Sequence, residues 1–136
     1  MPSVSGVLET SLYVADLERS AAFYERIFGF TVLTFDDRLC AFNVAGRQVL
    51  LLFRKGKVEA IPTGGGLIPA HQGGGRLHMA FAIGAEEVEP WKEWLARNEV
   101  AIESEVAWPR GGSSLYFRDP DGNLIELAAP GIWSIY

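Results

Sequence analysis

Cysteine is almost missing from this chain: Cys40 is the only one in 136 residues. That excludes an intrachain disulfide and leaves no thiolate spacing for a structural metal site. Cys40 sits in the run LCAFNV, which reads as a strand, so the expected role is that of a small buried hydrophobe. Basic residues are also scarce, with 12 Lys and Arg against 17 Asp and Glu and a net charge of -5. No basic cluster stands out from that background, so no nucleic acid partner is expected. No apolar run approaches the length of a membrane span and no charged-then-apolar leader opens the chain. Neither export nor membrane insertion is indicated, and the expected compartment is the cytoplasm.

What remains is ordinary globular composition, 49% hydrophobic and 21% charged. The length suits one domain over residues 1–136 with a real core. Within it the chain reads as though written twice. VLETSLYV (7–14) has strand character, and DLERSAAFYERIFGF (16–30) reads as a helix capped by Asp16, with Leu17, Ala21, Tyr24 and Phe28 at helical spacing. TVLTF, RLCAFNV and QVLLLF follow as strands, divided by turn signals. After a glycine-rich loop over 55–75 the order returns: RLHMAFAI (76–83) as strand, AEEVEPWKEWLARN (85–98) as helix, then VAIESEV, SSLYFRD and NLIELAA as strands. Pro90 falls in the first turns of that helix, where proline is tolerated.

The expected fold is therefore α+β: two βαβββ modules, about 7–54 and 76–128, forming a cupped, partly closed mixed sheet with helices outside. Superposing Glu9 on His78 aligns Leu12 with Phe81 and Val14 with Ile83, and sets Leu51 against Glu126. The middle of such a cup is the natural place for a ligand.

Side chains alternate along a strand. Glu9, Ser11 and Tyr13 share one face of the first strand, and His78 shares the corresponding face of the fifth with Ala80 and Ala82. Glu126 falls with Leu124 and Ala128, opposite Ile125 and Leu127. An unpaired buried carboxylate costs several kcal/mol, so three strands each aiming an ionisable group at one cavity point to a shared divalent metal ion. The plainer alternatives are a satisfied strand histidine, a solvated Glu9, and a Glu126 paired with Arg118 across its hairpin.

The segments LYVADLERSAAFYERIFGF, RLHMAFAI and LYFRDPDGNLIEL, spanning about residues 7 to 128, resemble the vicinal oxygen chelate superfamily of glyoxalase, fosfomycin-resistance thiol transferases, extradiol dioxygenases and bleomycin-binding proteins. The resemblance implies metal ligands at Glu9, His78 and Glu126. Glu9 departs from the histidine common there, and the fourth glyoxalase ligand falls on Leu51, which has no donor. Two carboxylates and one histidine favour Mn(II), Fe(II) or Mg(II), with Zn(II) and Ni(II) still open. Glu126 could double as a proton shuttle, and Tyr116, just before the DPDG turn, resembles the tyrosine lining the fosfomycin-enzyme site. Ser114 and Arg118 share the Tyr116 strand, and Arg110 lies on a loop where an anionic substrate group could meet it.

The first functional reading is a metal-dependent enzyme of glyoxalase or dioxygenase type, a lyase, isomerase or dioxygenase acting on a small oxygen-bearing molecule. The second is a thiol transferase of fosfomycin-resistance type, although no basic residues follow Glu126 to hold a phosphonate. The third is a non-enzymatic drug- or metabolite-sequestering protein with tryptophans as stacking surfaces. Single-domain relatives are often homodimers, which is the expected assembly. The 55–75 loop reads as a lid or link, with His71 facing solvent, and the terminal PGIWSIY exposes Trp133 and Tyr136 unless they pack.

Overall fold

A computed structural model describes residues 1–57 and 59–136; Val58, in the expected 55–75 loop, lies outside the described residues. The chain divides into two compact units, Met1–Gly75 and Arg76–Tyr136.

The first unit runs β1 (Glu9–Val14), α1 (Leu17–Phe28), β2 (Thr31–Phe35), β3 (Leu39–Val44) and β4 (Gln48–Arg54), with a short hairpin of β5 (Ile61–Thr63) and β6 (Gly66–Ile68) beyond. Its main sheet has the order β1-β4-β3-β2, with β1 parallel to β4 and the other pairs antiparallel. α1 begins where Asp16 accepts a hydrogen bond from the Arg19 N–H and ends at Gly29, whose φ of 66° suits glycine. Its apolar stripe of Leu17, Ala21, Tyr24 and Ile27 is buried. The sheet residues Leu12, Cys40, Phe42, Leu50 and Leu52 are buried as well and supply the other half of this core.

The second unit repeats the frame. β7 (His78–Ala82) leads through a 3₁₀ turn (Ala85–Glu87) into α2 (Val88–Arg97), then β8 (Ser104–Ala107), β9 (Ser113–Arg118) and β10 (Leu124–Ala128). The order β7-β10-β9-β8 matches the first sheet strand for strand, again with the leading strand parallel to the last. Leu95 from α2 and Leu115, Phe117, Ile125 and Leu127 from the sheet are fully buried. Among the described residues no helix is long and apolar enough to cross a membrane.

Two elements differ from the sequence reading. VAIESEV was expected as a strand throughout, yet pairing as β8 starts only at Ser104. Glu99 adopts φ 58° and the Val100 N–H donates back to the Leu95 carbonyl, so the first residues of that run serve to close α2. The loop over 55–75 carries the β5–β6 hairpin, in which Thr63 pairs with Gly66 around a two-residue Gly64-Gly65 turn. Gly-Gly between Ile-Pro-Thr and Gly-Leu-Ile is a hairpin signal, obscured by the glycines around it.

Candidate functional site

The open face of the second sheet can be built row by row from strand register. His78 pairs with Leu124, which pairs with Arg118; Ala80 pairs with Glu126, which pairs with Tyr116; Ala82 pairs with Ala128, which pairs with Ser114. All nine residues point to one side because they stand two apart on each strand. The other side takes Ile125 and Leu127, which are buried. A one-residue slip would bury His78 and expose the core, so the pleat itself holds this register.

The DPDG turn secures it further. Asp119 accepts from the N–H groups of Asp121 and Asn123 and from the Asn123 side chain, and Gly122 closes the turn with φ 80°. Asn123 in turn accepts from the Leu77 N–H at 2.9 Å, tying the turn to the start of β7. The residue before His78 and the turn leading to Glu126 are thus joined directly.

Glu126 is buried, at 7% exposure, and both carboxylate oxygens are engaged. Oε1 accepts the Ser114 hydroxyl at 2.5 Å, and Oε2 stands 3.2 Å from His78 Nε2. The indole N–H of Trp108 donates to Ser114 Oγ at 2.8 Å, so the serine must turn its own proton toward the carboxylate. His78 Nδ1 lies 3.0 Å from the Leu124 carbonyl oxygen. A carbonyl can only accept, so Nδ1 carries the proton and Nε2 of a neutral imidazole presents a lone pair to Glu126. Two acceptors face each other, and a proton or a cation has to lie between them.

Tyr116 completes the group, with its ring 6.3 Å from that of His78. Its hydroxyl is held above the ordinary phenol pKa, first by burial and further by the Glu126 carboxylate, while a Ser114 hydrogen bond works against the shift. Tyr116 therefore keeps its proton at neutral pH.

The remaining sequence-derived residues are distributed differently. Arg118 donates from Nε and Nη2 to Glu103 at 2.7 and 2.9 Å and from Nη1 to the Gly122 carbonyl, which ties it to the residue before β8 and to the turn, not to Glu126. Arg110 is exposed on its loop. Glu9 is exposed on β1 of the first unit, on the face it shares with Ser11 and Tyr13. Among the described residues no three His, Cys, Asp or Glu side chains gather as a metal-binding group. Of the three expected donors, the structure pairs His78 with Glu126. Trp108 is the contributor that sequence reasoning missed, since nothing in WPRGGSS shows that its indole reaches the serine six residues on. Tyr136 packs by donating to the carbonyls of Ile83 and Ala128, while Trp133 stays 70% exposed.

The family model described as Glyoxalase/Bleomycin resistance protein/Dioxygenase superfamily matches residues 6–127. The chain belongs to that superfamily. It is 30% identical over 126 residues to a metallothiol transferase FosB of Staphylococcus saprophyticus, an alignment covering 91% of this chain and 76% of the relative. It is 33% identical over 122 residues to a catechol-2,3-dioxygenase of Bacillus subtilis, covering 87% of this chain and 39% of that longer protein. The crystal structure of a lactoylglutathione lyase from Agrobacterium tumefaciens superposes with a TM-score of 0.87 at 34% identity, covering 98% and 99% of the two chains. These superfamily relatives are enzymes of three kinds, and the name of the first declares a metal.

The residues present fit a divalent ion in a superfamily member of this kind. With Nδ1 of His78 held by the Leu124 carbonyl, the usual outer support of a metal-binding histidine, Nε2 is the nitrogen left to meet an ion. Glu126 offers Oε2 beside it while Ser114 holds the other oxygen.

Proposed function

We propose that the chain is a metal-dependent cytoplasmic enzyme, working as a homodimer, that acts on a small oxygen-bearing molecule and transfers a thiol to it. Supporting the metal reading above all is the pair of acceptors, His78 Nε2 and Glu126 Oε2, 3.2 Å apart with their outer atoms already committed. In this reading Glu9, the position matching His78 in the first unit, is the third ligand. The metal is Mn(II), Fe(II) or Mg(II) by preference for a carboxylate-rich set. The ion, when bound, supplies Lewis-acid stabilisation of a developing oxyanion.

The chain's own groups account for the rest. Ser114, oriented by Trp108, keeps Glu126 in one rotamer, so the site needs little reorganisation as charge develops. In thiol transfer a carbon–sulfur bond forms, a carbon–oxygen bond breaks, and the released oxygen takes a proton. Tyr116, the cross-strand partner of Glu126, holds such a proton because burial keeps its hydroxyl neutral. The proton shed by the thiol returns to it through solvent. Thiol transfer is favoured by the FosB relative together with Tyr116 beside the acid–histidine pair.

Incubation with Mn(II), glutathione or cysteine, and an epoxide such as fosfomycin should consume free thiol, and Tyr116→Phe should lower kcat about 100-fold while Mn(II) uptake is unchanged. Thiol persisting at the uncatalysed rate with every thiol tried would remove this reaction. A lyase, isomerase or dioxygenase on the same site is the second reading, favoured by the similarity to the Agrobacterium lyase. Leu51, where a fourth glyoxalase ligand would stand, argues against the glyoxalase form. Methylglyoxal with glutathione is the parallel assay.

A further inference from the structure

The open face of the first sheet carries a pocket of about 390 Å³, of whose lining the proposed metal chemistry uses Glu9 alone. Register places its floor in two rows: Ser11 beside Leu51, and Tyr13 beside Phe53 beside Leu39. Glu9 lies at one end of β1 and Tyr13 four residues on, about 13 Å at the usual strand rise. The chain returns over the far end at His71 and Gly73. His71, expected in solvent, is half-buried there, its ring 4.5 Å from that of Phe53 and Nδ1 2.8 Å from the Tyr13 hydroxyl. Gly73 lies so close to the Tyr13 ring that a Cβ there would sit 2.3 Å from Cε2, which fixes how this return passes.

The donors at that end are unusually one-sided. Arg38 is set by an Asx turn in which Asp36 accepts from the N–H groups of Arg38 and Leu39. Its Nε donates to the Lys57 carbonyl, its guanidinium stands 5.3 Å from the centre of the Phe53 ring, and the residue lines the pocket. The Tyr13 hydroxyl and His71 Nδ1 share one hydrogen bond at 2.8 Å, and whichever of the two donates, His71 Nε2 is left facing away from Tyr13. In the tautomer where the phenol donates, Nε2–H is a second donor beside Arg38. Aromatic and aliphatic walls beside a guanidinium and an imidazole suit a planar apolar group bearing an anion.

We propose that this pocket holds the tail of the substrate: an aromatic or similarly planar group with an acidic substituent, gripped by Phe53 and Tyr13 and by Arg38 and His71, with the oxygen-bearing end toward Ser11 and Glu9. Only the placement of that reacting end rests on the metal reading. The test uses 3-phenylpropanoate and its neutral analogue 3-phenylpropanamide, titrated by calorimetry into chelator-stripped and Mn(II)-loaded protein. The acid should bind at least about tenfold more tightly than the amide in both forms. Arg38→Gln should abolish that preference with Mn(II) uptake and circular dichroism unchanged, and Phe53→Leu should weaken both ligands alike. No saturable binding of the acid, equal affinity for acid and amide, or a preference that survives Arg38→Gln would overturn the inference. Acid binding in a protein that takes up no Mn(II) would keep the tail pocket and remove the metal reading; Mn(II) uptake without acid binding would do the reverse.

Discussion

Leu51 and Glu126 occupy equivalent places in two units with the same strand order. Each stands on the last strand of its sheet, two residues beyond the partner of Glu9 or of His78. The leucine leaves the first face apolar and aromatic, with Tyr13 and Phe53 stacked at 6.0 Å; the glutamate turns the second face into an acid–histidine–tyrosine group. The rows behind them are alike, apolar and buried in both. A repeated frame therefore constrains the helix-facing rows and leaves the open rows to diverge, and the chemistry lies in that divergence.

If the frames are equivalent, their cores should respond equally. Phe42→Ala and Phe117→Ala, each removing a fully buried ring, should cost about 3–5 kcal/mol apiece in urea unfolding. A large loss in one unit with none in the other would break the equivalence. A smaller effect sharpens the contrast between the open faces. Ser114→Ala removes the hydroxyl from a buried carboxylate and should cost about 1.5–3 kcal/mol and weaken Mn(II) binding about 10–100-fold, whereas Ser11→Ala, on the exposed first face, should change stability by less than about 0.5 kcal/mol.

The helices differ in a way the sequence only half reveals. Asp16 caps α1 through its side chain, while Glu87 before α2 makes no side-chain cap. Asp16→Ala should cost about 1 kcal/mol and Glu87→Ala a few tenths at most, measured by thermal melts. A signal of another kind is that of Cys40, whose thiol, ordinarily near 9, is pushed up to about 11 by burial, with Glu25 adding to it. The folded chain keeps that proton to higher pH than the unfolded one, so this group's contribution to stability falls as pH rises from about 9 to about 11. Ellman's reagent at pH 8 should leave the native thiol unmodified and label it after unfolding.

Most of the frame was legible because periodicity reports which face is buried. TVLTF was read to the residue, α1 with its Asp16 cap, and Glu126 as the misplaced charge on an apolar strand. What escaped depended on contacts between segments distant in sequence. His71 reaches Tyr13 across 58 residues and Arg118 chooses Glu103 over Glu126, and neither choice leaves a local pattern. The Trp108 to Ser114 bond spans only six residues, but loop conformation sets it and no period marks it.

In the proposed reading Glu126, and not its counterpart Leu51, makes one face a metal site. Calorimetric titration of Mn(II) into chelator-stripped protein, compared across wild type, Glu126→Gln and Leu51→Gln with circular dichroism as the control for folding, tests it most directly. One ion per chain is expected in wild type and in Leu51→Gln with similar affinity, and a loss of at least about 100-fold in Glu126→Gln, since losing a ligand should exceed the cost of losing an outer partner. Wild-type Mn(II) affinity in a folded Glu126→Gln protein would contradict it.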